Sequence, residues 1–176
     1  MPLPRIPRHP EPSATGAVTI AASAEAAYGI ISDPPVMTGL AEEAHGARWL
    51  GSAGAAAVGA RFVGHNRRGR LRRWSTVCTV TDAEPGRRFA FEVTATPLRI
   101  PISRWEYTIE PAAGGGPGCR VTETSYLRAP VWFLPVAIAV TGVLNRPDAN
   151  TTNIARTLDR LKARLESAPS PAAAAD

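Results

Sequence analysis

A chain of 176 residues with 44% hydrophobic and 20% charged side chains has the balance of a folded domain, which excludes disorder over most of its length and leaves room for one sizeable core. The formal net charge of +5 rests almost wholly on arginine, Lys162 being the only lysine, so basicity by itself does not point to a nucleic-acid partner. Cys78 and Cys119, with His9, His45 and His65, show no spacing that fits a metal clip or a redox pair, and no metal or nucleotide cofactor is expected.

Residues 1–13 carry Pro2, Pro4, Pro7, Pro10 and Pro12, each of which removes a backbone donor, so they predict an extended arm ahead of a domain over 14–166. The same stretch lacks the apolar core of a secretory signal, and a cytoplasmic location is the expectation. Residues 16–23, GAVTIAAS, alternate as a short strand. Ser23 then offers an N-cap to a helix with Ala26, Ala27, Ile30 and Ile31 on one side. Pro34 and Pro35 must end that helix, with Asp33 placed to cap a second short turn reaching Ala41. From His45 on the pattern changes to strands. HGARWLGS, VGARFVGHN, RRWSTVCTVTDAEP, RRFAFEV, SRWEYTIEP and CRVTETSYL alternate or carry β-branched and aromatic residues, and turns such as EPGR and PAAGGGPG separate several of them.

Residues 131–144, VWFLPVAIAVTGVL, are the most apolar run, yet shorter than the roughly 20 residues needed to span a bilayer and interrupted by Pro135 and Gly142. Three readings fit the run: a pocket lid, a membrane-surface helix or a dimer contact. The lid is favoured, and Arg128 and Arg146 make interfacial binding the next choice. Asn145 and Pro147 then open a long helix with Ile154, Leu158, Leu161 and Leu165 in one stripe, and residues 167–176 read as a flexible tail. The fold class is therefore α+β.

That order of elements resembles the START-like helix-grip superfamily, in particular its polyketide cyclase/dehydrase-like branch. The stretches IAASAEAAYGIISDP, VGARFVGHNRRG, RRWSTVCTVTDAEPGRRFAFEV, TETSYL and NTTNIARTLDRLKARLE carry the resemblance, over roughly residues 15–166. It implies a seven-stranded curved antiparallel sheet gripping the C-terminal helix around a cavity. In the family's strand order Cys78 and Cys119 are not neighbours, so the resemblance implies two free thiols rather than a disulfide.

Strand alternation selects the cavity wall. Phe89, Phe91 and Val93 share one face; Trp105, Tyr107 and Ile109 share another; Trp74, Thr76, Cys78 and Val80 a third. Trp49, Phe62, Gly64 and Asn66 are placed inward by pattern and resemblance together, and Ile154 and Leu158 look in from the helix, with Trp132, Phe133 and Leu134 closing one end. The expected ligand-binding set is Trp49, Phe62, Asn66, Trp74, Thr76, Phe91, Trp105, Tyr107, Glu123, Ile154 and Leu158. Glu123 alternates in phase with Val121; buried, it would hold a raised pKa and serve as acid or base, whereas a solvent-facing carboxylate paired with arginine is the plainer alternative. His65 is out of phase with Phe62 and Asn66 and is not a catalytic candidate.

The expected function is binding, transport or sensing of a small hydrophobic molecule (a lipid, polyketide or aromatic) by a monomer or homodimer. The alternative is a polyketide cyclase/dehydratase-like enzyme using Glu123 or Tyr107 for proton transfer, with Asn66 holding a substrate oxygen. The arginine run Arg67, Arg68, Arg70, Arg72 and Arg73 has no recognition helix and no interleaved aromatics but Trp74, so no nucleic-acid partner is expected, and peripheral membrane contact through residues 131–144 stays open.

Overall fold

The computed structural model describes residues 11–167; most of the expected proline-rich arm and the tail from residue 168 lie outside the described residues. Seven strands form one sheet: β1 (Ala14–Ile20), β2 (Ala44–Trp49), β3 (Arg61–Arg68), β4 (Arg72–Glu84), β5 (Arg88–Ala95), β6 (Ile100–Pro111) and β7 (Cys119–Leu127). Their order is β1-β7-β6-β5-β4-β3-β2, antiparallel throughout. Each strand from β2 to β6 pairs with the next in sequence, as local antiparallel connections allow, while β1 lies at the edge of the sheet beside β7. Register shifts between Val80 and Asp82 on β4 and between Val93 and Thr94 on β5 mark bulges, which bend and twist the long central strands. The sheet curls, and its concave face holds the core.

Among the described residues four α-helices accompany the sheet: α1 (Ala24–Ile31), α2 (Pro34–Met37), α3 (Leu134–Thr141) and α4 (Arg146–Ser167). Ser23 caps α1, its hydroxyl accepting the Ala26 N–H at 3.1 Å. Asp33 stands at the cap of α2, but its side chain makes no capping bond. Pro34 and Pro35 have no N–H to offer, and the Val36 N–H goes to the Asp33 carbonyl at 3.0 Å, so the expected side-chain cap has no donor to meet. At α4, Asn145 Oδ1 accepts the Asp148 N–H at 3.3 Å, as its sequence position implied.

The position of α4 decides where space is left. It lies along β1, where Gly16 lets it come close: a Cβ on Gly16 would stand 2.7 Å from Ile154 Cγ2. Lys162 Nζ donates to the Thr19 carbonyl at 2.7 Å, and Glu166 Oε1 accepts the Ala21 N–H at 2.9 Å, fastening the far end of the helix to the same strand. On the other flank Arg156 and Arg160 each hold Glu42 at 2.8 Å. A helix drawn to β1 in this way covers the β1/β7 edge of the concave face and leaves the aromatic-rich surface of β3 to β6 without a partner. Ile20, Ile31, Val121 and Leu161 are fully buried in the solid part of the core.

Candidate functional site: an apolar cavity with one buried acid

Between α4 and the concave face lies a cavity of about 790 Å³, within the range of small-molecule sites. Its wall is mainly apolar. Phe62 on β3 meets Phe91 on β5 edge-on, with ring centroids 5.3 Å apart, and Phe91 lies 5.7 Å from Phe89. Phe62 pairs in register with Cys78 on the intervening β4, and a small side chain there allows rings two strands apart to touch. Cys78 is buried, and burial pushes its thiol up to about 12, so it behaves as a small apolar residue. Cys119 is buried and free on β7, which is not a neighbour of β4 in the sheet.

Nine of the eleven side chains selected by alternation and resemblance line this space: Phe62, Asn66, Trp74, Thr76, Phe91, Trp105, Tyr107, Glu123 and Ile154. Trp49 and Leu158 do not. Trp49, on the edge strand β2, spends its ring against the back of Phe62 at 5.6 Å. Leu158, one turn beyond Ile154, is used in packing α4 on β1 at Gly16. Sequence reasoning passed over Asn150, Asn153 and Thr157, which also line the cavity. Asn150 and Thr157 stand four residues before and three after Ile154, so extending its helical face in both directions would have found them. Asn150 is held in place by its Nδ2, which donates to Ser125 Oγ at 3.2 Å.

Of the acids that line this wall among the described residues, Glu42, Glu43 and Glu123, only Glu123 on β7 is buried. It is 3% exposed, and Tyr107, its register partner on β6, donates from Oη to Glu123 Oε1 at 2.8 Å. Glu123 Oε2 has no partner, and the alternative of a solvent-facing carboxylate paired with arginine does not hold. Burial raises the carboxyl to about 8, against the smaller opposing effect of the tyrosine hydrogen bond, so near neutral pH the acid is largely protonated. Burial and the adjacent acid push Tyr107 well above its usual value, and it stays a neutral donor. His65 lies outside the wall, its Nδ1 2.9 Å from Ser75 Oγ.

The mouth is framed by the segment that the sequence marked as most apolar. A 3-10 turn over Val131–Phe133 leads into α3, and Phe133, Leu134, Ala137, Ile138 and Thr141 face the cavity. Trp132 does not: it is 67% exposed, its ring set edge-on to Phe133 at 5.7 Å, because the 3-10 turn sends successive side chains to different sides. Arg72, from the β3–β4 hairpin, donates to the Ala139 carbonyl and, at 3.4 Å, to the Val140 carbonyl, satisfying the C-terminal end of α3. Gly142 ends that helix in the left-handed region at φ 71°, where a Cβ would press on the Arg72 guanidinium. Arg146 is not free at this surface; it pairs with Glu43 at 2.8 Å and ties the start of α4 to the segment leading into β2.

A curled seven-stranded sheet, a gripped C-terminal helix and an apolar cavity open at one end define a helix-grip fold with the build of a small-molecule pocket. The model of the polyketide cyclase/dehydrase and lipid transport family matches residues 11–166, and the chain belongs to that family. No curated protein matches the sequence. Solved structures share the fold at low identity. A Deinococcus radiodurans protein, DR_A0006, is 22% identical over 87% of this chain and 96% of its own, with a TM-score of 0.61. The di-domain ARO/CYC protein StfQ of the steffimycin biosynthetic pathway is 13% identical over 86% of this chain and 49% of its own, with a TM-score of 0.65. TTHA0849 of Thermus thermophilus is 16% identical over 89% of this chain and 99% of its own, with a TM-score of 0.60.

Proposed function

We propose that the protein binds a small, mostly apolar molecule in this cavity, to carry, sense or sequester it. The observation that carries the reading is an apolar space of about 790 Å³ with a single buried acid whose second oxygen has no protein partner. Aromatic walls favour a ring system or acyl chain through the area removed from water, and the few polar groups orient it. A protonated Glu123 can donate to a ligand oxygen such as a ketone or ester carbonyl, while Asn66, Thr76 and Asn150 supply further polar contacts from β3, β4 and α4. Native mass spectrometry of the protein isolated from its own host tests this reading. A co-purifying, largely apolar molecule released on denaturation is the expected result; a ligand-free protein that also takes up no apolar compound from a mixed library argues against it.

A second reading has its own observation. An acid held near pH 8 beside a tyrosine hydroxyl matches what protonation of a carbonyl during cyclisation or dehydration of a polyketide-like substrate needs, since a proton donor works best with a pKa near the working pH. In that case Glu123 delivers the proton and Tyr107 positions its carboxyl. Glu123→Gln separates the readings: an enzyme loses turnover and keeps binding, whereas a carrier shows no product from either protein.

A further inference from the structure

The large apolar side chains left exposed are not scattered. Apart from Val58, all of those found among the described residues stand at the cavity-mouth end of the sheet. Leu71, 95% exposed, tips the β3–β4 hairpin; Leu98, 76% exposed, tips the β5–β6 turn; Val131, Trp132 and Leu144 are 82%, 67% and 85% exposed along the segment that frames the mouth. Antiparallel pairing puts these turns at one end: Arg68 faces Arg72 across the first hairpin, Ala95 faces Ile100 across the second, and β7 leaves the sheet beside them at Leu127. Val136 and Val140 of α3, which border the cavity and are still about half exposed, add to the same surface, and α3 carries no charge. A helix apolar on every side is normally covered all round, and this one leaves Val136 and Val140 about half exposed.

The rim is also basic. Arg67, Arg70, Arg73 and Arg99 are exposed and enter no ion pair among the described residues. Of the carboxylates at this end, Glu43 is engaged by Arg68 and Arg146 and Glu42 by Arg156 and Arg160, while exposed Asp148 takes the Asn145 side-chain amide, so the unpaired arginines outnumber the unpaired acid. Arg70 flanks Leu71 and Arg99 flanks Leu98, so each apolar tip has a cation beside it, the arrangement that suits a layer with phosphates just above hydrocarbon. A second copy of the chain fits less well, because a two-fold contact would set these unpaired arginines against themselves.

We propose that this rim docks on an anionic lipid bilayer, with Leu71, Leu98 and Trp132 entering the headgroup boundary and the unpaired arginines meeting lipid phosphates. The contact is peripheral: among the described residues no helix is long and apolar enough to cross a membrane. It also sets the cavity mouth against the bilayer, which would give an apolar ligand a path that avoids water; this last step rests on the binding reading above, whereas docking itself does not.

Co-sedimentation with vesicles of phosphatidylcholine, alone or mixed with phosphatidylglycerol, tests the proposal. The protein is expected to pellet with the mixed vesicles, weakly with phosphatidylcholine alone, and less as salt is raised. Leu71→Ser combined with Trp132→Ser should weaken binding about tenfold or more, and Arg70→Glu with Arg99→Glu should remove the preference for phosphatidylglycerol. Leu71→Ser alone touches a nearly fully exposed side chain, so its part of the loss cannot come from unfolding. Neither Leu71 nor Trp132 lines the cavity, and binding of a soluble apolar dye should be unchanged in that double variant; a cavity that binds nothing would leave the vesicle result standing. Failure to bind either vesicle, retention of full binding by both double variants, or a rim-dependent dimer in sedimentation velocity without vesicle binding would overturn it.

Discussion

Glu106 and Tyr107 are neighbours on β6, yet they face opposite sides of the sheet and meet opposite solutions to burial. On the convex side Arg88 holds Glu106 at 3.0 Å, and Arg104 bridges Glu106 at 3.0 Å and Asp82 at 2.9 Å. Burial there works against the charge of Asp82, but the Arg104 and Thr81 hydrogen bonds outweigh it and hold the carboxyl below its usual value. On the concave side Tyr107 gives Glu123 one hydrogen bond and no cation, and burial lifts that carboxyl to about 8. One face spends its acids on structure, while the other keeps an acid neutral and leaves an oxygen of it unused.

The contrast is broken most strongly by Glu123→Gln. The unfolded chain ionises Glu123 near the usual 4.5 and the folded protein near 8, so the native protein loses stability as pH climbs between these values and is flat beyond them. The Gln variant has no such loss. It should match the parent near pH 4 and exceed it by roughly 5 kcal/mol near pH 9, read from urea unfolding at both values. Curves that stay parallel across the range would mean that Glu123 is not buried as an acid.

Arg104→Ala acts on the other face and in the other direction. It leaves Asp82 and Glu106 half-buried without their shared cation, and should cost about 2 kcal/mol at neutral pH, partly exposed pairs being weaker than fully buried ones. The cost should shrink in acid, since the contribution of a depressed carboxyl disappears as pH falls through its folded value. A loss that does not change with pH would assign the effect to packing.

Gly16→Ala tests what keeps the cavity open. The added methyl collides with Ile154 and pushes α4 off β1, for a loss of about 1 kcal/mol in thermal unfolding. The smallest effect is chemical: with its thiol raised to about 12 inside the wall, Cys78 should resist a thiol reagent at pH 8 until the protein unfolds. Fast labelling of the native protein would show an open path to β4.

Much of this was legible in the chain, and for a simple reason. Period-two alternation on β4 to β7 ties inward rings to outward charges, so Phe91, Trp105 and Tyr107 could be sided without coordinates, and α4 showed its stripe through Ile154 and Leu161. Periodicity reports a side, not what waits there. That is why Trp49 and Leu158, correctly turned inward, end on a neighbouring ring and on Gly16 rather than at the cavity. The Glu123–Tyr107 hydrogen bond depends on cross-strand register, and the exposed crown at the mouth on three turns meeting at one end; local pattern encodes neither.

The central claim is that the space under β3 to β6 is a ligand site rather than loose packing. Gly64 faces that space, and a Cβ there meets only Thr76 Oγ1, at 3.6 Å, so Gly64→Phe would fill the cavity from the wall inward. Fluorescence titration with an uncharged, environment-sensitive naphthalene dye should give saturable binding at one site in the parent and none in Gly64→Phe, with the variant folded by circular dichroism. Equal binding by both proteins, or by neither, would contradict the account.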